Sequence, residues 1–472
     1  MPLRNNHYRA QASDRPVSFQ NRKVWTVRRR ASGCSNWVMR RLLLETRRVL
    51  STPSRHPRMA VVLGRLLGIA FLVCFGTGLY SHFLQEPQPW MVFPTRPETL
   101  YQLSQGIHIT AGIACFPLIL GKLYVVYPGL FQTPPIKNFV GFLERSSIAI
   151  FVAASLVQIT TGLLNTYQWY PFPFPFKQTH WALSFVIIGS LAIHIAVKLP
   201  VISRYWTRSR SFDADGHLLL DDEDLPLTRA DVAAELAATT PEPVGRVSRR
   251  VDGLTGRLFD WIDSAPPRTD SPKHAKVSRR GFVAAVGVAT AAVVALTAGQ
   301  SFRVLDGINV FGSRKNFLGP NGLPVNRTAR AAQVTDALTG ADWALTVSRG
   351  AVVTTYTRAD LESMTLHSVD LPIACVEGWS QMATWRGVRL RDLLNAVGAH
   401  PDEDLRLTSL EVKGGYRVTE MGHEYAQDDL TLVALELNGK PLDIDHGFPA
   451  RMIAPGRPGV LQTKWLSKLE VI

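Results

Sequence analysis

An ionisable ring is costly to hold inside a bilayer and is seldom kept there without a purpose. In this 472-residue chain, four of the twelve histidines, His82, His108, His180 and His194, fall in or at the edges of four long apolar stretches. His180 and His194 are fourteen residues apart. On an α-helix that spacing leaves them about 40° apart in direction and ~21 Å apart along the axis. They point the same way near opposite faces of a membrane. This suits two haems stacked across it, each taking one axial imidazole from this helix. His108 lies in Gly106-Ile107-His108-Ile109-Thr110-Ala111-Gly112, whose small residues let a flat macrocycle approach the backbone. Depth pairs His108 with His180 at the outer site. His194 then needs an inner partner, but His82 is at the outer end of its stretch and His56 precedes it. Either His82 serves an outer haem and His108 reaches lower, or only one haem is held by two histidines. The plainer alternative, that these are interfacial or helix-bonding residues, suits one histidine better than four in one bundle.

A second set of reactive residues stands near the C-terminus. Cys375 closes the strand-like run Ile373-Ala374-Cys375-Val376-Glu377-Gly378-Trp379-Ser380 and enters a turn. A thiolate at a strand end with Arg and Lys nearby is a soft metal ligand or a nucleophile. A lone cysteine is otherwise a small core residue. Arg451 sits inside an apolar strand, where a charge needs a partner, and a guanidinium suits a phosphate. The other cysteines, Cys34, Cys74 and Cys115, show no metal-finger spacing and no disulfide framework.

The elements that must position these groups are long apolar helices. Residues 60–84, 106–127, 146–168 and 181–199 are each about long enough to cross a bilayer core, which takes ~20 residues. Trp90 and the run Trp169-Tyr170-Pro171-Phe172-Pro173-Phe174-Pro175 flank them as interfacial aromatics and helix stops. A fifth apolar run, 281–299, follows Ser278-Arg279-Arg280-Gly281-Phe282, a pair of arginines that alone reads as ordinary inside-positive flanking charge but, ahead of the portion that follows, favours a twin-arginine export signal. Beyond residue 300 the apolar runs shorten to strand length, at Trp343–Val347, Val352–Tyr356, Thr431–Leu437 and Ala450–Ala454. Short helices are expected over Arg358–Met364 and Leu390–Val397.

The net charge of +14 does not mark a nucleic-acid binder, because it is concentrated at the N-terminus in Arg28, Arg29, Arg30, Arg40, Arg41, Arg47, Arg48, Arg55 and Arg58, directly before a span. Met39 and Met59 are alternative starts within or after that segment. With this end inside, four spans return the chain to the cytoplasm, and the fifth carries the last portion out. The expected domains are a basic cytoplasmic segment over 1–58 and a four-helix membrane domain over 59–202. A cytoplasmic linker over 203–279, a fifth span or signal anchor over 280–300 and an oxidoreductase domain over 301–472 follow.

The His-x13-His of the fourth helix, with a histidine near the start of the second, resembles the cytochrome b subunits of formate dehydrogenases and the bacterial cytochrome b561 group over about residues 55–200. That resemblance implies two haems b and electron exchange with the quinone pool. Gly64 and Arg65 stand where that group has a histidine at the cytoplasmic end of the first span.

The segments around Cys375, Trp385-Arg386-Gly387, Asn438-Gly439-Lys440-Pro441, His446 to Met452 and Lys464-Trp465 together resemble the molybdopterin domain of the sulfite oxidase family. They are closest to its shorter members, similar to the methionine sulfoxide reductase catalytic subunit. The likeness runs from about Trp343 to Val471. It implies that Cys375 is the thiolate on molybdenum. By the same resemblance Arg451, His446 and Gln462-Thr463-Lys464 hold the pterin and its phosphate, and Asn326 touches the cofactor. Glu377 and Tyr416 face the metal's open side for proton transfer or substrate contact, with a turn-stabilising carboxylate as the alternative for Glu377. The chain's end at Ile472 leaves out the family's immunoglobulin-like dimerisation domain, so dimerisation by that route is not expected.

The fold class expected is therefore multi-domain: an all-α transmembrane haem bundle, a fifth span, and a mixed α+β molybdopterin domain outside the cytoplasmic membrane. The function implied is oxygen-atom transfer on a small S- or N-oxide, or a sulfite-like substrate, with electrons exchanged through haem b and quinone. The competing reading is a membrane cytochrome or quinol-linked metal reductase whose outer domain only binds a partner.

Overall fold

The computed structural model describes residues 39–50, 55–132, 136, 138–214, 219, 228–239, 257 and 279–472. Cys34, most of the basic N-terminal segment, most of the 203–279 linker and Ser278 lie outside the described residues. The chain divides into two compact units. In the smaller, a helix over 39–50 and a helix over Arg229–Thr239 are joined by an Arg40–Glu235 ion pair of 3.1 Å.

The larger unit holds everything that positions the candidate chemistry. Among the described residues five helices are long and apolar enough to cross a membrane: α1 (Pro57–Gln85), α2 (Leu100–Val126), α3 (Phe139–Thr166), α4 (Phe176–Arg204) and α5 (Arg279–Thr297). Their backbone hydrogen bonds close within each helix, the condition for crossing hydrocarbon. Local signals set their starts. His56 accepts from the Arg58 amide ahead of Pro57 at the head of α1, and the Asn138 side chain accepts from Gly141 ahead of α3. Inside the bundle Leu63, Leu67, Phe71, Ile119, Phe151 and Ile187 are buried together. Leu66, Ile69, Leu72, Phe116 and Leu120 face outward, as a lipid-exposed surface requires. The fifth helix lies along α2, where Val286 packs into the space left by Gly121.

Residues 301–472 form an α+β domain with two five-stranded sheets. One runs β2 (Val352–Thr357), β1 (Ala344–Arg349), β10 (Leu466–Val471), β5 (Leu405–Ser409), β6 (Val418–Met421). The other runs β3 (His367–Ala374), β4 (Ser380–Arg389), β7 (Leu432–Leu437), β8 (Lys440–Pro441), with β9 (Arg451–Ile453) on the other side of β7. Short helices at Arg358–Ser363 and Leu390–Asn395 cover the core, the first held by a capping box between Thr357 and Asp360. Three buried indoles find backbone carbonyls: Trp343 donates to Leu466, Trp385 to Leu371 and Trp465 to Ile444.

The β4–β7 pairing shifts register between Arg386 and Gly387, so that Arg386 faces Glu436 but Gly387 faces Ala434. A Cβ on Gly387 would sit 2.1 Å from the Val433 carbonyl oxygen, which is backbone and cannot turn aside. Gly387→Ala should therefore destabilise the domain by about 1–3 kcal/mol, the range for overpacking a tight core. A thermal melt followed by tryptophan fluorescence should show a lower midpoint for this variant, whereas Gly415→Ala, with open space around its Cβ and no left-handed backbone, should fall by less.

Candidate functional site

The strand β3 ends at Ala374, and the next five residues make a tight turn. The Cys375 amide donates to the Trp379 carbonyl at 2.9 Å, and the Gly378 amide donates back to the Cys375 carbonyl at 3.0 Å. Gly378 sits at φ +90°, and a Cβ there would meet Ile109 of α2 at 2.9 Å, so both its conformation and its closeness to the bundle demand glycine. Cys375 is 1% exposed. Burial pushes its thiol pKa up, the neighbouring Glu377 adds to that, and Lys464 and Arg314 oppose it.

Glu377 is itself buried, which raises its pKa, and it is answered by two hydrogen-bond donors and a nearby cation. Gln168, from the loop after α3, donates its side-chain amide to one carboxylate oxygen. The Trp379 indole donates to the other at 3.3 Å, and an Arg314 guanidinium nitrogen lies 3.9 Å from that oxygen. Gln168 also accepts from Arg314 at 2.7 Å and donates to the Asn326 carbonyl.

The cations behind this turn have few partners. Arg451, fully buried in β9, donates to the His446 carbonyl at 3.3 Å and lies over the Trp385 ring at 5.2 Å. Its Nε and second terminal nitrogen are buried with no hydrogen-bond partner among the described residues. Burial pulls its pKa down to about 9, partly offset by Cys375. Lys464 donates to the carbonyls of Arg327 and Asp445 at 2.9 and 2.7 Å, and burial beside Arg451 holds its pKa well below the usual lysine range. His446 is turned to backbone: its Nε2 lies 2.9 and 3.1 Å from the carbonyls of Pro320 and Leu323. Burial and nearby Arg451 and Lys464 bring its pKa to about 3, so it is neutral and donates there. The Gln462 side chain bonds the amide and carbonyl of Ala454 and the carbonyl of Arg457, closing the Pro455–Gly459 turn. Thr463 meets Thr419, hydroxyl to hydroxyl, at 3.0 Å.

One cavity of about 1220 Å³ opens between this domain and the bundle. Asn326, Glu377, Tyr416, Gln462, Thr463 and Lys464 stand on its wall, with Arg314 and Gln168. Cys375, His446 and Arg451 do not line it, although Val376 and Glu377, the two residues after Cys375, do. The same cavity continues between the helices, where His82, His108 and His180 line it. The rings of His108 and His180 are 6.3 Å apart, centre to centre, inclined at 62°. The Nδ1 of His108 lies 3.0 Å from the Cys74 carbonyl and 3.1 Å from the Thr77 hydroxyl. A carbonyl only accepts, so Nδ1 carries the proton and Nε2 keeps its lone pair. Gly78 and Gly162 make room: Cβ atoms there would lie 3.2 and 3.5 Å from the His108 and His180 rings. His82 instead stacks on Trp181 at 3.6 Å and 14°. His194 is not on this wall, and its Nδ1 is buried without a hydrogen-bond partner among the described residues.

Residues 331–472 match the oxidoreductase molybdopterin binding domain family. The chain is 31% identical over 160 residues to the mitochondrial sulfite oxidase of Drosophila melanogaster, covering 28% of this chain and 27% of that protein. It is 36% identical over 95 residues to the NADPH nitrate reductase of Fusarium oxysporum, covering 19% and 10%. The C-terminal part of the chain is a molybdopterin oxidoreductase domain of the sulfite oxidase and nitrate reductase type. It spans about a quarter of that sulfite oxidase and a tenth of that nitrate reductase. Among solved structures, the sulfane dehydrogenase SoxCD from Paracoccus pantotrophus aligns with TM-score 0.26 and 22% identity over 28% of this chain and 38% of that one.

A molybdopterin cofactor is implied by this domain, and its residues fit one. A buried guanidinium with two unpartnered N–H donors is costly unless an anion answers it, and a phosphate accepts such donors well. The molybdopterin domain also draws on Gln168 and Arg314, which the sequence does not single out. Gln168 is a loop residue between spans and Arg314 lies in an irregular connector, so neither has a periodic or motif signal.

Removing the unpartnered donors separates cofactor binding from folding. Arg451→Met, which keeps the stem and loses the guanidinium, should yield a folded protein with molybdenum and pterin content reduced at least about tenfold, as for the loss of a charge-assisted bidentate contact. Metal and pterin analysis beside the melting midpoint checks this.

Proposed function

We propose that this protein is a membrane-bound molybdenum–haem oxidoreductase that transfers an oxygen atom to or from a small S- or N-oxide or sulfite-like substrate and exchanges the electrons with quinone. The observation that carries the reading is the single cavity joining the Cys375 turn to the His108–His180 pair. Within it Ile109, next to His108, packs against Gly378, three residues from Cys375.

Molybdopterin supplies two-electron oxygen-atom transfer, and a haem b supplies one-electron exchange. The rest is the work of this chain. Cys375 supplies the thiolate for the metal, and Arg451 and Lys464 supply the cationic floor for the pterin's phosphate, with Asn326 and Thr463 on the wall beside them. The roles of His446 and Gln462 are to hold the backbone of that floor. Glu377 and Tyr416 face the cavity and are placed to hold or pass a proton.

His108 and His180 would hold the haem b: their rings stand 6.3 Å apart, and the Nδ1 of His108, bonded to the Cys74 carbonyl, leaves its Nε2 lone pair for a metal. One haem at this site is the reading favoured. His82 is committed to Trp181, and His194 stands outside the cavity.

The sidedness rests on charge. The molybdopterin domain bonds to the C-terminal end of α3 and the N-terminal end of α2, through Asn165 and Gln105 to the Val376 carbonyl. Arg58, Arg65, Lys198 and Arg204 stand at the other ends of α1 and α4. Cations favour the cytoplasmic side, which leaves the domain outside it. The relatives named sulfite oxidase and nitrate reductase run in opposite directions. The resemblance of residues 343–471 to the methionine sulfoxide reductase catalytic subunit favours reduction here.

The test is composition of the detergent-purified protein with its haem difference spectrum. Wild type should hold about one molybdenum, one pterin and one haem b per chain, as one thiolate site and one imidazole pair provide. Cys375→Ser should lose activity and keep the b-type spectrum; His180→Ala should lose the spectrum and keep molybdenum; His194→Ala should keep both. Properly matured protein with haem but no molybdenum or pterin would reduce residues 301–472 to a binding module and defeat the reading.

A further inference from the structure

The wall of the molybdenum cavity is not built by the molybdopterin domain alone. Where α3 ends, the loop Asn165–Tyr170 rises into the domain. The Asn165 side chain donates to the Val376 carbonyl at 3.4 Å, Ser313 donates to the Thr166 carbonyl, and the Tyr167 hydroxyl donates to the Phe311 carbonyl. Between these anchors Gln168 is held at φ +53°, a left-handed conformation that a long side chain rarely adopts. Its amide is thereby aimed at Glu377, Arg314 and the Asn326 carbonyl at once.

We propose that Gln168, supplied by the membrane bundle, is a positioning residue of the molybdenum site, fixing Glu377 and Arg314 where they meet the substrate. The inference rests on the reading that the Cys375 turn carries the molybdenum. A primary amide donates to a carboxylate and accepts from a guanidinium without adding charge, which leucine or glutamate in its place cannot do. Docking does not depend on it. Arg96 makes a two-pronged pair with Asp428 at 2.7 and 2.9 Å, Gln102 bonds Ser380 at 3.1 Å, and Gln105 and Asn165 share the Val376 carbonyl. Gln168 is therefore spare as a fastener and placed as a part of the site. Its consequence is that the molybdopterin domain is complete only when seated on its own bundle.

The test uses the full chain in detergent, loaded with molybdenum and haem. Gln168→Leu and Gln168→Glu are compared with wild type and with Arg96→Ala, which loosens docking away from the cavity. The probes are dimethyl sulfoxide with reduced viologen and sulfite with ferricyanide. Both Gln168 variants should keep wild-type molybdenum and haem content, lose about ten- to a hundredfold in kcat with a smaller change in KM, and alter the paramagnetic resonance line shape of half-reduced molybdenum. Arg96→Ala should leave that line shape unchanged. Wild-type kcat and line shape in the Gln168 variants would overturn the proposal, as would the same loss and the same altered line shape in Arg96→Ala. Where Gln168→Leu fails to load molybdenum, Gln168→Asn is read on the line shape alone, and an unchanged shape overturns it. A wild type without molybdenum sinks the parent reading and this one together; a loaded wild type with indifferent Gln168 variants sinks only this one.

Discussion

The turn after Cys375 cannot be buried on its own terms. Buried backbone carbonyls and amides need partners, and this turn has more of them than its own strands can answer. The Val376 carbonyl is answered by Gln105 of α2 and Asn165 of α3. The Gly378 carbonyl is answered by Ser301, and the Ser380 amide by the Gln300 carbonyl. Every one of these partners belongs to the membrane helices or to the residues just past the fifth. The turn can close over Cys375 only because the end of the bundle is pressed against it.

From that joint the rest follows. Pressing the bundle against the turn puts Ile109 under Gly378, and so places the His108–His180 pair in the cavity whose upper wall is Glu377 and Lys464. Arg451, Lys464 and Glu377 are all buried, which makes their charges costly and their preferences strong. Glu377 is satisfied within the protein, by Gln168, Trp379 and Arg314. Arg451 is not, and a buried cation left with two idle donors is a site awaiting an anion.

Much of this was legible in the residues. The five spans announce themselves by length and composition, and the short strands of the last portion by their turn residues. His108 and His180 both lie near the same end of the bundle, on two helices that are not packed side by side, and their rings meet across its interior. What could not be read is what depends on loops meeting across the joint. Gln168 is one polar residue in an aromatic loop, and only the left-handed backbone at that position shows where its amide goes. His446 and Gln462 carry the donors and acceptors of cofactor ligands, yet both spend them on backbone carbonyls and amides, a choice that depends on a fold not visible in their spacing. Gly387 looks like any strand glycine until the register shift brings the Val433 carbonyl over it.

The fifth span shows most plainly how closely membrane and chemistry are tied. As a tether it would only raise the local concentration of the domain and leave it free to dock and undock. The helix ends at Thr297, however, and Gln300 and Ser301 are already bonded to the turn that carries Cys375. The Gln300 side chain also accepts from Ser313 and from the Arg314 amide, drawing the connector that carries Arg314 into the same knot. With so few residues between helix and site there is no slack to swing on. To leave the bundle, the domain would have to break the bonds that shape its own turn, so anchorage and the architecture of the site are one structure.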